Sequence, residues 1–489
     1  MRRDWLILAA LFAGTIVSRI PFRTTLLYAW DSVLYTRALD AFNVTIGQPQ
    51  PPGHIFYVGL VWLVNRLLGD PNRAMVWISV FAAAAAVAAL FWLGRSMFDR
   101  SVGLSTALLL ATSLSFWTYS EVAYPYTLLC FLGIVIAGAV YRTWQGNAGW
   151  VMPAALVLGL AAGFRPDLLF FMMPLLLIGL VGKAWWRILG AMAILAVTTL
   201  AWYVPAALLS GGLGPYREAS SGQSQYLIDY FSVFGMNGWG AVLTNLEVLR
   251  RFLLAGLSAA APLVLLTLLS LPARRLHPVF KDRRFWFLFV WIMPCLLFYI
   301  FIHVGEFGYV FTFLPALLLL GVWGLANLLG AGAGPKRGRR AVGTFPLIVA
   351  LLAAVNFLAF VVLPLPLSAN RLAARDNILQ CRLDAIRDNF DPGTTFIISV
   401  WDFQHAAYYL PEFTSQRVDT AVAPQVTYDL PAGTRNVVIF EEFLNPANPA
   451  DADSIDICRD QQLFYMAVGD HRQIAVEWDK RIVSLNGSP

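Results

Sequence analysis

Apolar runs of about twenty residues recur from Trp5 to about residue 364, separated by short polar breaks. In lipid every backbone polar group needs a partner within the protein, so runs of this length predict spanning α-helices. They fall near 5–21, 73–94, 103–119, 125–142, 150–164, 167–183, 188–209, 252–272, 285–303, 308–330 and 343–364, about eleven spans in all. A shorter apolar run, Ile55–Leu68, lies between Pro51-Pro52-Gly53 and Gly69-Asp70-Pro71. Its length predicts a helix lying flat at the membrane surface within a first loop over 22–72. After residue 366 the pattern changes. Thr395–Val400 and Asn436–Phe440 read as buried strands, with helical patterns near 371–389 and 402–410. This alternation predicts a small α/β domain over 367–489, following a helical membrane domain over 1–366.

Composition fits that division. Hydrophobic residues make up 58% of the chain and charged residues 13%, and the mean hydropathy is +0.64. A water-soluble fold could not cover so much apolar surface. The net charge of +6 does not signal nucleic-acid binding, because the basic residues sit in short clusters between apolar runs. These clusters are Arg2-Arg3, Arg95 to Arg100, Arg142, Lys183 to Arg187, Arg274 to Arg284, and Lys336 to Arg340 within a Gly-rich linker starting at Gly332. With a cytoplasmic N-terminus and a surface helix at 55–68, all of them fall on the cytoplasmic side. The same count puts Asp31, Glu121, Arg165, a polar loop over 210–250 and the C-terminal domain outside the cytoplasm. No small-residue cleavage site follows the first apolar stretch, so an uncleaved first helix is expected.

Two of the four cysteines, Cys130 and Cys295, lie in apolar runs as packing residues. Cys381 and Cys458 share the polar C-terminal region, where an oxidising compartment would let them form a disulfide. No metal-ligand cysteine spacing is present.

The candidate chemistry gathers at the outer helix ends. Asp31 and Glu121 are carboxylates that could activate a nucleophile or hold a divalent cation such as Mg or Mn; the bland alternative is a helix cap or an ion pair. Arg165 offers a guanidinium fork to phosphate oxygens, or else pairs with Asp167 or anchors a headgroup. Arg217 lies in the polar 210–250 loop with Glu218, Gln223, Gln225 and Tyr226, a composition suited to sugars. Arg250-Arg251 are candidates for meeting lipid phosphate. His303 and Glu306 sit in a late outer loop. No P-loop, dinucleotide-binding glycine loop or HExxH occurs, which argues against nucleotide-driven transport and nucleotide-sugar use.

An ordered set of motifs resembles the GT-C superfamily, in the style of protein O-mannosyltransferases and lipid A aminoarabinose transferases. Asp31-Ser32 with Tyr35 and Ala38 resembles the acidic first-loop motif, and Gln50-Pro51-Pro52-Gly53-His54 the Pro-Pro motif opening a surface helix. Arg95 to Arg100, Phe116-Trp117 to Tyr126, Gly163-Phe164-Arg165-Pro166-Asp167 and His303 to Tyr309 follow in matching order. Two positions depart from the pattern: Ser32 stands where a second acid is usual, and Gln50 where Lys or His often precedes the Pro pair. The resemblance implies transfer of a sugar, with inversion, from a polyprenyl-phosphate donor to an extracytoplasmic hydroxyl on a glycan, lipid or protein. It implies Asp31 as base, with Glu121 orienting the acceptor. Arg165, His54, Tyr35, Arg217, His303, Glu306 and Tyr309 would bind substrate. The setting implied is a bacterial inner or plasma membrane. A secondary transporter or lipid flippase would instead place ionisable residues near mid-membrane in repeated halves. A non-catalytic scaffold of an envelope-assembly complex would tolerate loss of Asp31.

Overall fold

The computed structural model describes residues 2–270, 281–329, 339–418, 425–441, 445–446, 452–469, 472–477 and 482–485. The chain forms two compact units, one of residues 1–24 and 35–371 and the other of residues 25–34 and 372–489.

The first unit is helical. Among the described residues, seven helical segments are long and apolar enough to cross a membrane: Arg3–Phe22, Pro71–Met97, Tyr126–Trp144, Trp185–Leu209, Trp239–Ser270, Arg283–Phe301 and Gly343–Val361. Four shorter apolar helices accompany them, Ile55–Leu68, Ala148–Phe164, Asp167–Leu180 and Leu314–Leu328. The first of these has the bounds expected of the surface helix. Asp4 is buried and pairs with Arg95 at 2.8 Å and Arg100 at 2.6 Å. Arg284 Nη1 donates to the Met97 carbonyl at 3.0 Å. The basic segments around residues 4, 95–100 and 284 therefore meet at one end of the helices. Arg274 and the basic linker from Gly332 to Gly338 lie outside the described residues.

Two expectations are corrected. The predicted span 103–119 is two helices, Arg100–Thr112 and Leu114–Tyr119, broken at Ser113. Ser113 Oγ donates to the Gly256 carbonyl at 2.6 Å, and the Leu114 N–H donates to Ser258 Oγ at 2.9 Å. Ser258 itself breaks the segment 239–270, and Asn356 Oδ1 accepts the Ala259 N–H at 2.8 Å. A helix can break inside the apolar layer because the freed backbone groups find partners on neighbouring helices. An apolar run does not reveal such a break. The second correction concerns the 210–250 loop, most of which is helical, in Leu213–Phe231 and Trp239–Leu257. Near its end Glu247 pairs with Arg250 at 2.7 Å and Arg251 at 2.8 Å, one turn on. Arg250 and Arg251 are thus partnered within their own helix.

The second unit contains two sheets. β1 (Thr395–Ser399), β2 (Thr414–Arg417), β4 (Asn436–Ile439), β6 (Asp453–Asp456) and β7 (Gln462–Ala467) form a sheet in the order β2-β1-β4-β7-β6. β3 (Gln425–Asp429), β5 (Asn445–Pro446), β8 (Gln473–Glu477) and β9 (Ile482–Leu485) form the other, in the order β3-β8-β9-β5. β1 runs parallel to both β2 and β4. One face of the first sheet presents Phe396, Ile398, Val437 and Ile439 to Ile474 and Val476 of the second. Its other face presents Ile397 and Val438 to Leu379, Leu383 and Ile386 of the helix Ala369–Asn389 and to Ala406 of the helix Phe403–Tyr409. Covering on both faces explains why these strands read as continuous apolar runs without alternation. Cys381 and Cys458 form a disulfide, with Cα atoms 6.0 Å apart and a separation of 77 positions in sequence.

Candidate active site

In the helical unit the site is centred on Arg165. A residue before proline is pushed out of the α region, so the helix Val151–Phe164 ends at Arg165, which is extended, and Asp167 opens the next helix. The break aims the guanidinium sideways. Nε donates to Asp167 Oδ2 at 2.7 Å, and the guanidinium carbon lies 4.4 Å from the Tyr309 ring centroid and 5.2 Å from that of Tyr126. The Asp167 pairing foreseen as the bland alternative is therefore present, and the cation also rests on two ring faces.

Tyrosines surround this cation. Tyr119 packs on Tyr126 with ring centroids 5.6 Å apart, and Tyr126 lies 5.8 Å from Tyr309. Tyr299 stacks on Tyr309 at 5.6 Å and donates its hydroxyl to the Tyr309 carbonyl at 3.0 Å. The Tyr119 hydroxyl donates to Glu306 Oε2 at 2.6 Å. Gly308 makes the packing possible, because a Cβ there would fall 2.1 Å from Cγ of Tyr126.

Two histidines lie within the field of Arg165. His54 ends the turn from Gly53, whose φ of +78° and 2.7 Å clearance to Val44 suit only glycine. Its Nδ1 lies 2.6 Å from the Tyr35 hydroxyl, which receives the Gln50 amide N–H at 3.3 Å. Burial, helped by the Arg165 charge, pushes the His54 pKa down to about 3. His303 lies 6.0 Å from the Tyr309 ring, and burial together with Arg165 lowers its pKa to about 4. Both rings are neutral near pH 7, so Arg165 supplies the positive charge and the histidines act as neutral donors or acceptors.

The structure thus brings together Tyr35, His54, Arg165, His303, Glu306 and Tyr309. Arg217 is exposed on Leu213–Phe231, and its neighbour Tyr216 donates to the Pro52 carbonyl at 2.7 Å. Glu121 is fully buried. Its Oε1 accepts the Trp117 indole N–H at 2.7 Å, and its Oε2 has no hydrogen-bond partner among the described residues. Burial raises the Glu121 carboxyl pKa, opposed by the charge of Arg19 and by the Trp117 bond. Arg19 is itself buried, 4.1 Å from the Trp117 ring, with Nε on Ser120 Oγ at 3.0 Å. Glu121 is therefore enclosed between the Trp117 indole and the charge of Arg19. Sequence reasoning passed over Arg19, Tyr119 and Tyr299. The signal for Arg19 was a charge at the end of an apolar run, which needs a partner; for Tyr119 it was the clustering of Tyr119, Tyr124 and Tyr126.

Asp31 belongs to the other unit. It lies half-buried in the first turn of the helix Trp30–Arg37, where the helix dipole favours a carboxylate. Ser32 is buried and closes the preceding turn: its Oγ accepts the Ala29 N–H at 3.2 Å, and its own N–H donates to the Ala29 carbonyl at 2.9 Å. The hydroxyl at this position thus has a local structural task. Among the described residues no group of three or more His, Cys, Asp or Glu side chains is disposed to hold a metal.

Comparisons with known proteins bear on this architecture. The family model of the dolichyl-phosphate-mannose-protein mannosyltransferases matches residues 50–209, the stretch carrying His54, Glu121 and Arg165. No curated protein sequence matches the chain. Among solved structures, ArnT from Cupriavidus metallidurans bound to undecaprenyl phosphate superposes with a TM-score of 0.57 at 13% identity, covering 95% of this chain and 98% of ArnT. Its apo state gives 0.55 at 12% over the same shares. The Archaeoglobus fulgidus oligosaccharyltransferase in complex with Zn and sulfate gives 0.50 at 15%, covering 88% of this chain and 67% of that one. The chain is a membrane protein that shares the fold of ArnT over 95% of its length, and its residues 50–209 are similar to the mannosyltransferase family model.

Proposed function

We propose that this protein transfers a sugar from a polyprenyl phosphate to an acceptor hydroxyl outside the cytoplasm, with inversion at the anomeric carbon. The observation that carries the reading is Arg165, a cation held among tyrosine rings at a helix break in a GT-C fold. A guanidinium matches phosphate oxygens, and aromatic faces suit the apolar side of a sugar ring. The structure of ArnT with undecaprenyl phosphate supports the lipid class of the donor.

In this mechanism Asp31 takes the proton from the acceptor hydroxyl as its oxygen attacks the anomeric carbon. The bond from that carbon to the phosphate oxygen breaks, and its electron pair leaves with the polyprenyl phosphate. Arg165 stabilises the charge gathering there. Neutral His54 offers a ring nitrogen beside this charge, and Tyr35 holds its ring. Glu121 serves as the internal partner of Arg19 and supports the loop from which Tyr119 and Tyr126 project. The basic end of the helices supports a cytoplasmic N-terminus in a bacterial inner or plasma membrane.

The test is mass analysis of products from purified protein given several polyprenyl-phosphate sugars and a membrane extract as acceptor source. A glycosylated product with release of polyprenyl phosphate is expected. Both should disappear with Asp31→Asn and fall sharply with Arg165→Ala. Movement of the intact donor across a vesicle membrane without bond cleavage would overturn the reading in favour of a flippase.

A further inference from the structure

The segment carrying Asp31 is gripped by the C-terminal part of the chain, almost residue by residue. The Thr25 N–H and hydroxyl both donate to Asp376 Oδ2, at 2.5 and 2.8 Å. Leu26 is buried among Leu379, Leu383, Ile397 and Leu410. The Leu27 N–H donates to the Tyr409 hydroxyl at 2.9 Å, and the Leu27 carbonyl accepts from His405 Nε2 at 3.0 Å. Arg375 lies 4.4 Å from the Tyr28 ring, and Arg417 lies 4.7 Å from the Trp30 ring. Asp31 is the next residue.

The backbone contacts trace back to the sheet. His405 is buried, with Nδ1 3.3 Å from Asp402 Oδ1. The Asp402 N–H donates to the Glu441 carboxylate, which also receives Ser399 Oγ at 2.8 Å and the Val400 N–H at 3.0 Å. Ser399 ends β1 and Glu441 follows β4, so the chain of contacts starts at the carboxyl ends of neighbouring parallel strands. In open α/β sheets this edge is where functional groups are carried. Here its polar residues hold a segment of the same chain.

We propose that the C-terminal unit is a positioning device for Asp31, with His405 and Tyr409 as the positioning residues that fix the Leu27 backbone. The proposal rests on the reading of Asp31 as the base. The hydrogen-bonded turn that Ser32 closes at Ala29 stiffens the path from Leu27 to Asp31, so the orientation of one determines that of the other. A base works only within hydrogen-bond reach of its proton, and a misplacement of about 1 Å can cost about a hundredfold in rate.

The experiment uses the full chain, purified in nanodiscs, with Tyr409→Phe, His405→Ala, His405→Gln and Asp31→Asn. Amide hydrogen exchange is followed over residues 25–34 and, as an integrity control, over β1 and β4. Turnover is read as release of undecaprenyl phosphate from the undecaprenyl-phosphate-linked sugar that the wild type consumes. Tyr409→Phe should speed exchange at Leu27 about tenfold and lower kcat about tenfold, with KM and sheet protection unchanged. His405→Gln, whose amide can still donate to the Leu27 carbonyl, should recover part of the kcat lost in His405→Ala. A rescue of this kind is not expected if His405 merely fills space. Unchanged exchange at Leu27, or faster exchange with an unchanged kcat while Asp31→Asn is inactive, overturns the positioning role alone. Wild-type kcat in Asp31→Asn overturns the base reading, and the proposal with it.

Discussion

Arg165 lies over the face of Tyr309, its guanidinium carbon 4.4 Å from the ring centroid, while Asp167 holds Nε from the side. The geometry exposes a planar, fixed cation to whatever lies beyond the ring. Lysine carries the same charge but has no fork and no plane to stack. Arg165→Lys should therefore behave much like Arg165→Ala, with kcat/KM for the lipid donor reduced about tenfold to a hundredfold in each. Steady-state kinetics with the donor varied would check this, and a fully active Lys variant would count against phosphate recognition by the fork.

Gly308 tests the ring cluster from outside the charged set. A methyl group there would meet Tyr126 Cγ at 2.1 Å and Tyr126 Cβ at 2.6 Å, so the ring must move away from Tyr309 and Arg165. Gly308→Ala should cost about 1–3 kcal/mol of stability by overpacking and raise the donor KM severalfold. Thermal unfolding in detergent and donor titration read the two effects separately. An unaltered KM alongside a lowered unfolding temperature would confine Tyr126 to a packing role.

Arg19 and Glu121 are both buried, and each offsets the other's charge. Removing one leaves the other stranded, which typically costs about 3–5 kcal/mol, whereas replacing both with apolar groups is often close to neutral. Arg19→Leu alone should be strongly destabilised, and Arg19→Leu with Glu121→Leu should recover most of the loss. Denaturation of the four members of this cycle measures the coupling; additive losses would show that the pair is not an energetic unit.

His54 gives the stability a pH dependence of definite sign. Unfolded, a histidine takes up a proton near pH 6.5, to within about one unit; folded, burial holds His54 neutral down to about 3. Between these values the unfolded chain binds more protons, so stability is full above about pH 6.5 and declines as the pH falls, by up to about 1.4 kcal/mol per unit. His303, lowered to about 4, adds to the same slope. Unfolding midpoints measured from pH 7 to pH 4.5 should drop less steeply in His54→Asn, whose amide can still hydrogen-bond the Tyr35 hydroxyl. Parallel slopes for the variant and the wild type would remove His54 as a source.

Much of this molecule could be read from the chain alone, because the lipid environment makes the code short. Long apolar runs must become helices that satisfy their own backbone. The surface helix Ile55–Leu68, strand β1 and strand β4 were legible at nearly residue resolution because length and apolar continuity decide them. Local chemistry also decides the break at Arg165, since a proline follows it. Three things were settled only by tertiary contact. The kink at Ser113 exists because the Gly256 carbonyl and Ser258 Oγ accept hydrogen bonds from Ser113 Oγ and the Leu114 N–H across helices. Glu121 turns inward because Arg19, 102 residues earlier in the sequence, is buried beside it. The segment 25–34 joins the C-terminal unit through Asp376, Tyr409 and His405, partners more than 340 residues away in sequence. Hydrophobic burial depends on composition and spacing along the chain, whereas the pairing of a polar group depends on what folding brings within about 3 Å of it.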